Sequence, residues 1–147
     1  MKVLIIPCIF CVSLSTTFFS SCQPKGHSAE SVELAMQKYN RYILKMDVDS
    51  IALLYAPDGE LGKMATGRDS IRRFLDNFKK YRVLSQSSKT SLINISHDTA
   101  LQSGLYTQKV IVPTNDTVTV KGLFTTRWIW MDSAGWLIRR METVPAK

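Results

Sequence analysis

Cysteine is scarce and placed where it cannot brace a fold. All three, Cys8, Cys11 and Cys22, lie in the first 22 residues, and none follows. A disulfide framework or a thiolate zinc centre is therefore not expected in the rest of the chain. Histidine is scarcer: His27 and His97 stand far apart, and zinc takes three or four nitrogen or sulfur ligands. No metal site is expected. There is no Gly-x-Ser-x-Gly elbow and no glycine-rich phosphate loop, so nucleophilic hydrolysis and nucleotide binding lack their usual machinery, and no cofactor is expected. Long apolar runs are missing too. The longest, Val3 to Val12, is too short for the roughly 20 residues a helix needs to span a bilayer. Acidic residues are outnumbered by basic ones, 12 against 19, but the cations are scattered in pairs such as Arg72-Arg73, Lys79-Lys80 and Arg139-Arg140. A nucleic-acid surface calls for clustering, so this charge reads as a solvated basic surface suited to anionic headgroups, with no nucleic-acid partner.

What is present begins with an export signal. Lys2 supplies a charge, Val3 to Val12 an apolar core, and Ser13 to Ser21 a small polar run that ends at Cys22. Phe19-Ser20-Ser21-Cys22 resembles a lipobox, the motif at which lipoprotein signals are cut and the cysteine acylated, with Phe19 where leucine is usual. The alternative is an ordinary signal peptide that leaves Cys22 as a free thiol, an uncommon state in exported proteins. The expected organisation is a lipoprotein signal over 1–21, a lipidated tether over 22–27 and one domain over 28–147. The resemblance implies a bacterial envelope protein held by a lipid on Cys22, and Gln23 in place of aspartate implies the outer membrane.

Along the domain, Val32, Leu34, Ala35, Tyr39, Tyr42, Ile43 and Met46 recur at helical spacing, predicting a helix from Ser28 to Met46. Asp47 or Asp49 caps a second, shorter helix with Ile51, Leu53, Leu54 and Tyr55, and Pro57-Asp58-Gly59 reads as a turn. Glu60 to Met64 reads as a short strand, and Ile71, Phe74, Leu75 and Phe78 build a third amphipathic helix from Arg68. After Tyr81 the period becomes strand-like. Candidates are Val83 to Ser87, Lys89 to Ser96, Thr99 to Val112 (bent at Gly104), Thr117 to Met131 and Trp136 to Val144. Three helices followed by antiparallel strands is an α+β order, with helices on one sheet face.

Tyr42 through Asp47-…-Asp49-Ser50-Ile51 to Leu54-Tyr55-Ala56-Pro57-Asp58-Gly59, Gly67-Arg68-Asp69-Ser70-Ile71, Gly104-Leu105-Tyr106 and Trp128-…-Gly135-Trp136 together resemble the nuclear-transport-factor-2-like superfamily. That superfamily includes ketosteroid isomerase and the SnoaL-like cyclases. The resemblance implies a cystatin-like, cone-shaped curved antiparallel sheet packed on three N-terminal helices, a conical pocket and often a dimer. It does not imply an activity, because enzymes, binders and assembly domains share the fold. Ungapped register places Tyr42 at the isomerase's oxyanion-hole tyrosine. Lys63 and Arg127 fall where the isomerase carries its base and its neutral acid. Two cations cannot perform that proton shuttle, so isomerase chemistry is not expected at these positions.

The resulting expectation is a binding pocket for a small, anionic or partly apolar molecule, lined by Tyr42, Lys63, Arg127, Tyr39, Tyr55 and Glu142. It assumes that Leu123, Thr125, Arg127 and Ile129 form the inward face of their strand. The alternative turns Phe124, Thr126, Trp128 and Trp130 inward. With Arg127 inward, the aromatic face would be an exposed patch, hence an expected homodimer. Two other functions stay open. One is an isomerase, cyclase or dehydratase with Glu60, His97 or Glu142 as base; the other is an assembly module acting through its sheet face. Asp47, Asp49 and Asp58 read as caps and turn formers, and His97 beside Asp98 as a turn.

Overall fold

The computed structural model describes residues 27–146, so the expected signal, the expected lipobox and Cys22 lie outside the described residues. Helix α1 spans Ala29–Lys45, α2 Val48–Leu53 and α3 Arg68–Asp76. The strands are β1 Tyr55–Leu61, β2 Ala65–Thr66, β3 Arg82–Ser96, β4 Thr99–Ile111, β5 Thr117–Met131 and β6 Gly135–Pro145. They form one six-stranded sheet in the order β2-β1-β6-β5-β4-β3. The α+β architecture is as expected, three helices against a curved, unclosed sheet.

Local chemistry explains the helix ends. Ser28 accepts from the Ser31 backbone N–H at 3.1 Å while Ser31 Oγ accepts from the Ser28 N–H at 3.2 Å, a reciprocal cap on α1. Met46 closes that helix at φ 52°, and Asp47 caps α2 by accepting from Ser50 N at 3.1 Å. Hydrogen bonding from the Ser50 side chain, and then from its backbone N–H, holds the Asp47 carboxyl below its ordinary pKa. Arg68 Nε donates to the Tyr55 carbonyl at 2.7 Å and ties the start of α3 to β1.

Three expectations need correction. Pro57-Asp58-Gly59 is not a turn but part of β1, where the register with β6 shifts between Tyr55 and Glu60. A bulge absorbs the proline without breaking the strand. Strand β1 also runs parallel to β6, so the sheet is mixed rather than wholly antiparallel. The residues from Arg82 to Ser96 form one long strand, not two.

Curvature comes from irregularities where β3, β4 and β5 cross. The β3 register slips between Thr90 and Leu92, opposite Gly104, and a Cβ on Gly104 would stand 2.9 Å from both Phe124 Cε1 and Thr90 Cα. Bulge and glycine together let the sheet wrap around the helices. The core lies between them: Val32, Met36, Ile51, Ile71, Phe124, Trp128, Ile138 and Met141 are all buried.

One polar thread runs through this core. Gln102, fully buried, donates to Glu33 Oε2 at 3.1 Å and accepts from Trp128 Nε1 at 3.0 Å. Thr90 Oγ1 donates to the same Glu33 oxygen at 2.6 Å. Helix α1 is thereby keyed to β3, β4 and β5 by oriented bonds as well as by apolar contact.

Candidate functional site

The helices and the inner face of the curved sheet enclose a cavity of about 400 Å³. Helix α1 offers it the stripe Met36, Tyr39, Ile43 and Met46, spaced three or four residues apart. Helix α3 and the segment after it supply Phe74, Leu75, Phe78 and Tyr81, while Leu61 and Met64 close the side at β1. The sheet contributes alternate residues: Tyr106, Gln108 and Val110 from β4, Val118, Val120 and Phe124 from β5, Met141 and Thr143 from β6.

The walls are neutral. Among the described residues no aspartate, glutamate, histidine, lysine or arginine lines this cavity. Its polar groups are amides and hydroxyls, most of them already engaged. Gln86 Nε2 and Ser88 Oγ donate to Asn40 Oδ1 at 3.1 and 3.0 Å. Tyr106 bonds to Thr143, and burial pushes its phenol above the usual pKa. Tyr39 is backed by the fully buried Tyr55, with which it shares a hydrogen bond. Desolvation pushes Tyr39 up to about 12, so it remains a neutral hydroxyl at physiological pH. The Gln108 side chain, whose backbone pairs in the β4 ladder, also lines the cavity.

Of the six pocket residues expected from sequence, Tyr39 alone forms the wall. Tyr42 lies just off the cavity stripe of α1 and packs, half-buried, at the core edge. Lys63 is exposed in the turn between β1 and β2. Tyr55 sits behind Tyr39, its hydroxyl 3.8 Å from Met141 Sδ.

Arg127 is exposed on the outer sheet face, opposite Leu101 and Arg140, because Phe124, Thr126 and Trp128 occupy the inner one. An unpaired guanidinium inside an apolar cone would cost several kcal/mol, whereas the aromatic face matches the apolar helices. Glu142 is on the outer face as well, accepting from Arg140 at 2.7 and 2.9 Å. Glu60 pairs with the same arginine at 3.1 Å, and His97 is exposed in the β3–β4 turn at φ 51°. None of the three candidate bases reaches the cavity.

Sequence reasoning missed Tyr106 and Gln108. The signal was there in the alternation Gln102, Gly104, Tyr106, Gln108, Val110, in step with the two inner-face glycines, Gly104 and Gly122.

Comparison with known proteins rests on structure alone: no family model and no curated protein matches the sequence. A ketosteroid isomerase-like protein from Erwinia carotovora atroseptica superposes with a TM-score of 0.71 at 15% identity, covering 80% of this chain and 95% of that one. The fold is nuclear-transport-factor-2-like. A protein from Novosphingobium aromaticivorans assigned as a scytalone dehydratase aligns with a TM-score of 0.67 at 19% identity, covering 80% and 83% of the two chains. A protein from Xanthomonas campestris assigned as a calcium/calmodulin-dependent protein kinase II association domain gives 0.68 at 20% identity, over 86% and 93%. An isomerase-like protein, one assigned as a dehydratase and one assigned as an association domain thus share this frame, and the likeness extends to the fold only.

Among the described residues no group of three or more histidine, cysteine, aspartate or glutamate side chains could hold a metal ion. No described helix is long and apolar enough to cross a membrane.

Proposed function

We propose that this domain is a non-catalytic binding module whose cavity takes up a small, largely apolar molecule. The observation that carries the reading is a cavity of about 400 Å³ walled by aliphatic and aromatic side chains and a few neutral polar groups. Isomerase, cyclase and dehydratase chemistry moves a proton by a carboxylate or imidazole within hydrogen-bond reach of the substrate, and no such group stands on the wall. The anionic ligand expected from Lys63 and Arg127 loses its support inside the cavity, because neither cation is there. In this proposal the domain is held at the bacterial envelope by a lipid on Cys22. The order of charged, apolar and small-residue segments before that cysteine supports this, and Gln23 favours the outer membrane.

The test is binding of a neutral solvatochromic dye such as Nile red. Micromolar, saturable binding is expected, weakened at least about tenfold in Val120→Trp, whose indole would occupy the lumen. No binding, or binding indifferent to Val120→Trp at unchanged melting temperature, would overturn the proposal.

A second reading, assembly with another copy, has its own observation. Leu105, Leu123 and Val144 are paired across strands in one row on the outer face and are 51, 57 and 61% exposed. The patch is aliphatic rather than aromatic, since the tryptophans turn inward. Beyond one end of the row the same face carries Glu142, bonded by Arg140, and then Arg127. Light scattering on the chromatographed domain is expected to give a dimer mass that Leu123→Glu reduces to a monomer. A wild-type monomer at tens of micromolar would sink this reading.

A further inference from the structure

The cavity is neutral inside, but its mouth is not. Its exposed large apolar wall residues are Met64 at 56%, Val118 at 41% and Phe78 at 37%, whereas Met36, Phe124 and Met141 are buried. Three exposed lysines are chain neighbours of wall residues, on three different elements. Lys45 precedes Met46 at the C-terminal end of α1, Lys63 precedes Met64 in the β1–β2 turn, and Lys80 lies between Phe78 and Tyr81 after α3. The Lys80 ammonium stands 5.9 Å from the centroid of the Tyr81 ring, itself part of the wall.

All three are exposed, and none makes an ion pair within 4 Å among the described residues. Of the neighbouring acids, Asp76 pairs with Lys79 at 2.6 Å, Asp116 accepts from the Thr114 hydroxyl at 2.7 Å, and Asp47 caps α2 while attracting Lys45 from beyond ion-pair distance.

We infer that the ligand is an amphiphile whose apolar body fills the cavity and whose anionic head, a carboxylate or phosphate, is met at the mouth by Lys45, Lys63 and Lys80. This rests on the cavity-binding reading above. Division of labour follows from solvation. A charged head buried among Phe124, Met141 and Val110 would lose its hydration without a partner, whereas at the mouth it keeps water and gains three mobile cations. Lysine suits the task, since its flexible stem brings a point charge to heads of varied shape. Lys63 thus regains a role in anion recognition, at the rim rather than in the pocket.

Displacement of Nile red by decanoate and by decanol, at pH 8 and low salt, tests the inference. Three exposed ion contacts predict that decanoate competes about tenfold better than decanol. The preference should shrink to within about twofold in the triple variant Lys45→Gln/Lys63→Gln/Lys80→Gln, and in wild type at 0.5 M salt, where screening is strong. Equal competition in wild type would overturn the headgroup assignment while leaving the cavity reading intact. A decanoate preference that survives the triple variant would overturn the lysine assignment. If neither compound displaces the dye, or the dye itself does not bind, the cavity reading falls with it.

Discussion

Gly104→Ala is expected to lower unfolding stability by about 3 kcal/mol, among the largest effects of any single methyl in this protein. The added Cβ would press on the Lys89 carbonyl and come within 2.9 Å of Thr90 Cα and Phe124 Cε1. Two of these three neighbours are backbone of β3, at the point where the strand slips register, and backbone there cannot retreat without opening the β3–β4 ladder. Urea unfolding followed by tryptophan fluorescence measures the shift in midpoint at constant slope. Trimming the aromatic neighbour should not help: Gly104→Ala combined with Phe124→Leu is expected to stay as unstable as the sum of the two changes. Recovery in the double variant would mean that the ring, and not the strand crossing, sets the requirement for glycine. The sheet's bend at this crossing shapes the cavity wall, so Nile red binding should fall together with stability.

Gln102→Leu is expected to cost a similar amount, again about 3 kcal/mol, for a different reason. Leucine fills much the same space, so packing is nearly conserved. The loss is polar: the buried Trp128 indole N–H is left without its acceptor, and Glu33 loses one of its two donors. A partner left unsatisfied in the core costs more than the bond contributed. Gln102→Leu with Trp128→Phe removes the orphaned donor, and the pair should be less destabilising than the sum by about 1 kcal/mol. Strict additivity would show that the indole finds another acceptor, with the buried Thr126 Oγ1, which has no partner of its own, the first group to inspect.

Much of the fold was legible in the sequence because its signals are local. Val32, Ala35, Tyr39 and Ile43 repeat at helical spacing and do pack on the core, and Ser28 and Asp47 are capping residues before apolar runs. Each depends on a handful of neighbours, so the chain declares it without tertiary help. Pro57-Asp58-Gly59 shows the limit. Its composition says turn, yet pairing with β6 across some 80 residues holds it as a bulged strand.

The site was less legible, because it depends on which way a two-fold alternation points. On β5 both faces carry apolar residues: Leu123 and Ile129 on one, Phe124 and Trp128 on the other. A period of two tells which residues share a face but not which face meets the helices. The sequence by itself determined the three helices, the succession of strands along the chain and the absence of phosphate-loop and thiolate metal patterns. Tertiary structure alone decided that Arg127 and Glu142 face out, that Tyr39 rather than Tyr42 meets the cavity, and that the cavity wall is neutral. The reason is the curvature seated at Gly104 and the β3 bulge. It turns one face of the sheet into a concave, water-poor surface where aromatic rings gain by burial and unpaired charges cannot stay.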